Sequence, residues 1–294
     1  MKQQQQAYVY ALAAVLIWST VASAFKISLR HMRPIQLLLW ADFFSVCCLF
    51  FVLVVQKKLL LLKTLPRRSL VRCLALGVLN PFLYYIVLFA AYDLLPAQEA
   101  QPLNYTWAIT LTILSWPLLG QRLGIREAVA IGISYTGVVI ISTHGNLFDL
   151  TFSSGSGVAL ALGSTIIWAL FWIFNARDKT DPVVSLFLNF AAGFPLIFTI
   201  SLLFSSVWQI TWQGLAGAAY VGVFEMGITF VFWLKALRLT SSTAKVSTLI
   251  FFSPFLSLVF IHFLVGEEIL TSTIVGLGFI IAGNALQQTG NKAA

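Results

Sequence analysis

Five landmarks recur in the same order in the two halves of this chain. Gly77, Leu94, Gly120, Gly132 and Gly137 are echoed by Gly222, Leu239, Gly266, Gly278 and Gly283, displaced by 145 residues for the first two pairs and 146 for the rest. Repetition of this kind implies two copies of one structural unit. Nearly everything between the landmarks is apolar: 59% of the 294 residues are hydrophobic and 10% charged, with mean hydropathy +0.91. Soluble domains carry roughly 25% charged residues, so a soluble globule is excluded. The expected fold class is an all-α integral membrane protein. If each copy contains an odd number of spans, the second lies upside down relative to the first.

Apolar runs long enough to cross a hydrocarbon layer of ~30 Å fall at about 8–29, 34–56, 70–91, 98–119, 124–142, 156–176, 182–204, 212–235, 242–264 and 269–288. Ten spans divide into five-helix repeats at residues 1–145 and 146–294. The connections are marked by Pro34 after Arg33, by the basic stretch from Lys57 to Arg68, by Leu95-Pro96, and by the Ser153-Ser154-Gly155-Ser156-Gly157 run. The Gln3–Gln6 tract reads as a disordered polar leader, with no cleaved signal peptide. A cytoplasmic N-terminus places Lys2, Lys57, Lys58, Lys63, Arg67, Arg68, Arg72, Arg122, Arg126, Arg177, Lys179, Lys235, Arg238, Lys245 and Lys292 inside, leaving Lys26, Arg30 and Arg33 outside. Fifteen against three, out of 18 Lys and Arg, is a strong positive-inside bias. It predicts cytoplasmic termini, a bacterial inner (plasma) membrane location, and a lipid bilayer rather than nucleic acid as partner of the net charge of +8.

No connection is long enough for a catalytic domain, and phosphate-loop, zinc-type and nucleophile-elbow motifs are absent from the sequence. Cys47, Cys48 and Cys73 have no metal-ligand spacing and read as small core residues. The expectation is no enzyme, no cofactor and no metal.

Aligning the halves places Asn80 opposite Glu225, Tyr84 opposite Thr229, and Trp18 near the place of Trp168. Ala130 and Gly137 match Gly276 and Gly283, a spacing of small side chains that lets helix backbones approach closely. Two five-span halves, Leu119-Gly120-Gln121-Arg122-Leu123 and its counterpart Val265-Gly266-Glu267-Glu268-Ile269 resemble the EamA family of the drug/metabolite transporter superfamily. The stretch Pro102-Leu103-Asn104-Tyr105-Thr106-Trp107 is similar to bacterial aromatic amino-acid exporters, with Ala108 where those carry proline. The resemblance implies a basket of two inverted repeats, a cavity lined by spans 1, 3, 4, 6, 8 and 9, supporting spans 5 and 10, and outward movement of small metabolites by alternating access.

Trp18, Trp107, Trp168 and Trp172 lie well inside their spans, whereas membrane Trp usually gathers at interfaces. They read either as packing residues or as an aromatic pocket whose indole faces stack on a planar substrate. Tyr84, Tyr85 and Tyr105 carry phenols that need partners away from water. Asn80, Tyr84, Asn104 and Trp107 suggest one polar–aromatic wall, with ordinary interhelical hydrogen bonding as the alternative. Glu225 is the costliest residue: a mid-span carboxyl must be neutral, paired or facing water. It is a candidate for binding an ammonium group, for carrying a coupling proton, or for a purely structural bond. Lys26 and Asp42 suggest an ion pair between the first two spans, or else an outer gate. Glu267 and Glu268 read as solvated loop residues or loop caps.

The expected function is a secondary transporter exporting small organic solutes, aromatic or neutral amino acids first. Efflux of lipophilic cations and a non-transporting receptor or assembly subunit are the alternatives. A homodimer is a further partner to consider.

Overall fold

A computed structural model of the chain describes residues 2–120, 123–146, 152–175, 180–240, 246 and 248–290. Gln121, Arg122, Arg177, Lys179, Lys245 and Lys292 lie outside the described residues. All regular structure described is helical: α1 (Lys2–Leu29), α2 (Pro34–Val55), α3 (Arg67–Leu94), α4 (Ala97–Asn104), α5 (Trp107–Leu119), α6 (Ile125–Ser142), α7 (Gly155–Asn175), α8 (Pro182–Phe204), α9 (Trp212–Leu239), α10 (Leu249–Val265) and α11 (Thr271–Gly290). Seven of these, α1, α2, α3, α6, α7, α8 and α9, are long and apolar enough to cross a membrane; α10 and α11 are shorter apolar helices. This is a multi-pass helical membrane protein.

Two expectations are corrected at this level. Gln3–Gln6 is not a disordered leader but the first turn of α1, with Gln4 Oε1 accepting from the Thr240 hydroxyl at 3.2 Å. The expected continuous span at 98–119 is broken at Tyr105–Thr106 into α4 and α5. The Tyr105 carbonyl there accepts from Asn284 Nδ2 at 3.2 Å, so a side chain from α11 supplies the partner at the break. A helix interruption is tolerated at membrane depth when protein groups satisfy the freed backbone.

Packing follows the matched landmarks. α6 lies along α11, and a Cβ placed on Gly137 would collide with the Gly276 carbonyl, while one on Gly283 would meet Ser134 and the Ala130 carbonyl. The small residues picked out at seven-residue spacing are thus the contact itself. Gly77 of α3 abuts the Asn189 carbonyl of α8, and Gly222 of α9 abuts the Ala41 carbonyl of α2. Around these contacts α1 packs on α9 and α10, α7 packs on α3 and α5, and α2 packs on α8.

α3 and α9 each contain a π-helical segment, Val78–Leu83 and Val221–Ile228. Asn80 sits in the first, at φ −143° and ψ 115° beside Pro81, and Glu225 sits in the second. A π turn leaves the regular bonding ladder and is common at functional sites.

Candidate functional site

A cavity of about 780 Å³ opens among these helices. It runs from Phe25 and Tyr92 at one end to Leu119, Leu237 and Gln287 at the other, the end of the molecule where α1 begins. Its volume is in the range that takes a small organic molecule.

One wall is aromatic. The Trp168 indole stacks on the Tyr84 ring, with centroids 4.5 Å apart and planes 29° from parallel. Trp172 meets Trp168 edge-on at 5.9 Å, one turn further along α7. Trp18 from α1 meets Phe230 at 5.8 Å and Trp233 at 5.5 Å. Trp107 and Tyr105 add to the lining from α5 and the break before it. Such edge-on and offset arrangements are the favoured geometries of aromatic pairs.

The polar groups are threaded through that wall. The Tyr84 hydroxyl donates to Asn104 Oδ1 at 3.4 Å, and Asn104 Nδ2 donates to Ser164 Oγ at 2.9 Å. The Tyr85 hydroxyl donates to Glu225 Oε1 at 3.3 Å, so a fully buried phenol behind the wall steadies the carboxyl that lines it. Helix α9 turns this carboxyl toward the cavity from its π segment, where the Thr229 hydroxyl bonds back to the Phe224 carbonyl five residues earlier.

Of the residues singled out from sequence, Trp18, Tyr84, Asn104, Tyr105, Trp107, Trp168, Trp172 and Glu225 line the cavity. Asn80 does not. It is buried away from the cavity, and neither of its side-chain polar atoms has a hydrogen-bond partner among the described residues, so it is not part of the Tyr84–Asn104–Trp107 wall. The kink at Asn80 turns it off the helix face that a regular four-residue step to Tyr84 would have given.

The Lys26–Asp42 pair is also corrected. Lys26 Nζ donates instead to the carbonyls of Tyr92 at 2.8 Å and Leu95 at 2.7 Å. These carbonyls end α3, where backbone acceptors lack helical partners and a cation is favoured. Asp42 is fully buried in α2, and neither of its carboxylate oxygens has a hydrogen-bond partner among the described residues.

Glu267 is likewise more than a solvated loop residue. Its two oxygens accept from the backbone of Ala97 at 2.8 Å and Gln98 at 3.0 Å, capping α4 from across the chain. Arg30 donates to the Val265 carbonyl at 2.7 Å nearby. Together with Lys26 these bonds tie α1, α3, α4 and the α10–α11 turn at the end opposite the one where α1 begins.

Several lining residues were not anticipated: Gln101, Glu127, Phe230, Trp233, Asn284 and Gln287. Asn284 and Gln287 belong to α11 and Glu127 to α6, so both of these helices contribute to the wall. A usable signal existed for Asn284, an amide within an otherwise apolar span. Phe230 and Trp233 carried none, since one aromatic among many marks no face.

A multi-pass helical membrane protein with a solute-sized aromatic cavity between its helices has the build of a transporter. The sequence pattern of the EamA-like transporter family matches residues 5–143 and, a second time, residues 155–287. The chain belongs to that family. It is similar to the uncharacterized transporter YvbV of Bacillus subtilis (strain 168), 25% identical over 253 residues, which covers 80% of this chain and 79% of that one. It is also similar to the aromatic amino acid exporter YddG of Ancylobacter novellus, 28% identical over 162 residues, covering 53% of this chain and 55% of the exporter. A solved crystal structure 20% identical in sequence superposes with a TM-score of 0.66 over 96% of both chains, a likeness of fold.

Proposed function

We propose that this transporter exports small organic solutes with an aromatic part, amino acids first among them, by alternating access around the cavity. The observation that carries this is the Tyr84–Trp168–Phe230–Trp18 ring set lining one cavity with Glu225 and Asn104. Rings of that kind accept a planar apolar group, and the few polar atoms orient it. The partial similarity to an aromatic amino acid exporter supports the same substrate class.

In this reading ten crossings form two inverted five-helix units, residues 1–145 and 146–294. Support comes from the exchanged contacts, Gly77 on α8 answering Gly222 on α2, and α1 on α9 answering α7 on α3. Both termini lie in the cytoplasm of a bacterial inner membrane, on the charge bias of the connections. The cavity then opens inward, and the Lys26, Arg30 and Glu267 bonds close the outer end. Moving the solute outward requires those bonds to break while the inner ends of the helices approach.

Exchange of labelled phenylalanine or tryptophan by purified protein in liposomes tests the reading. Uptake above that of empty liposomes, abolished by Trp107→Ala, is the expected result. Equal uptake by empty liposomes across a broad panel of neutral amino acids would refute it.

A further inference from the structure

The polar complement of the cavity is lopsided. Its described lining contains two carboxylates, Glu225 in the aromatic set and Glu127 near the open end, and no Lys, Arg or His. Glu127 Oε2 is engaged in accepting from the Gly124 backbone at 2.8 Å. Four lining residues hold a buried polar side-chain atom without a hydrogen-bond partner among the described residues. Three are acceptors, Glu225 Oε2, Gln101 Oε1 and Asn284 Oδ1, and one is a donor, Trp172 Nε1.

Among the described residues, neighbouring cations are engaged elsewhere. Lys26 is held by two carbonyls, Arg30 by the Val265 carbonyl, and Lys235 lies over the Tyr10 ring at 5.2 Å. A solute ammonium therefore finds a carboxylate, spare acceptors and the faces of Trp18, Trp168 and Phe230, which attract cations. A solute carboxylate finds no cation in the described lining, only neutral donors such as indole and phenol groups, beside two carboxyl groups, and burying a carboxylate without a charge partner is costly.

We propose that the cavity reads the ammonium end of its solute and not the carboxylate, so that primary aromatic amines, the counterparts of aromatic amino acids without the carboxyl group, are bound and moved by this protein. The inference rests on the cavity being the transport site and specifies which end of the solute that site recognises. Glu225 is the specificity-determining group; its carboxylate accepts from the ammonium while the ring lies against Trp168 and Trp18. Amino acids enter by the same contacts and carry their carboxylate as a burden.

Thermal unfolding of the full chain in lipid nanodiscs, titrated with 2-phenylethylammonium, phenylalanine and 3-phenylpropionate, tests this. The amine is expected to reach half of its stabilising effect at a concentration at least ten-fold below that of phenylalanine, and phenylpropionate to have no effect. Glu225→Gln is expected to weaken the amine ten-fold or more. If that variant fails to fold, the ranking of the three compounds on the wild type decides alone. Phenylpropionate or phenylalanine acting at lower concentration than the amine overturns the inference. Phenylalanine exchange in liposomes without any amine binding defeats the inference and leaves the transport reading standing; failure of every phenyl compound in both assays defeats the two together.

Discussion

Asp181 shows at the residue scale how much work one side chain outside the spans performs. Its Oδ1 accepts from the backbone of Val183 at 3.0 Å and Val184 at 3.4 Å, capping α8, and its Oδ2 accepts from Lys58 Nζ at 2.7 Å. Arg238 lies 3.7 Å from the same oxygen. Burial alone would lift this carboxyl, but the Lys58 bond and charge and the two backbone donors outweigh it and hold it below its usual range. A depressed carboxyl stabilises the fold above its unfolded value near ~3.9 and loses that effect as pH falls through the folded value. Asp181→Ala is expected to cost about 1 kcal/mol through the lost cap. Asp181→Asn keeps a cap and should cost under about 1 kcal/mol, since the pair is partly solvated. In thermal unfolding the gap between wild type and Asp181→Asn should stay constant from pH 8 to 5 and close on further acidification. Asp42 shows the opposite lesson. The sequence suggested a partner for it in Lys26, but its surroundings were not readable, because burial with no partner among the described residues is a property of the packing around it.

Helices α6 and α11 make the element-scale case. Gly137, Gly276 and Gly283 let two backbones approach so closely that a side chain on any of them would strike a carbonyl oxygen of the partner. A backbone oxygen cannot move aside as a side chain can, so overpacking here is expected to cost about 1–3 kcal/mol. Gly283→Val should lower the unfolding temperature accordingly, while Gly278→Ala, with nothing within 4 Å of the added carbon, should not. Equal effects of the two substitutions would show that the contact is not where the stability lies. This contact was legible in the sequence because glycine spacing is a local pattern. The break between α4 and α5 was not legible. Pro102 and Asn104 stand just before it, but the Asn284 bond that occupies the freed carbonyl comes from a helix about 180 residues away.

The whole molecule is read as two opposed units, and its topology is open to direct test. With Cys47, Cys48 and Cys73 changed to alanine, Arg33→Cys should react with a membrane-impermeant maleimide in intact cells. Thr180→Cys should react only after permeabilisation. Reaction of both from one side would remove the inverted arrangement. The cavity residues show where a sequence stops determining a protein. Composition and run length decided the membrane environment, because hydrocarbon tolerates no unsatisfied backbone and few charges. Repeated landmarks decided that two similar units exist, and mid-span Trp and Glu residues marked the chemistry at the centre. Tertiary structure alone decided which of those groups share a space. Trp168 meets Tyr84, Lys26 leaves Asp42 for the end of α3, and Asn80 turns away, each because a kink or a distant helix set the direction of the side chain. Side-chain direction depends on contacts between helices far apart in the chain, and no local pattern records them.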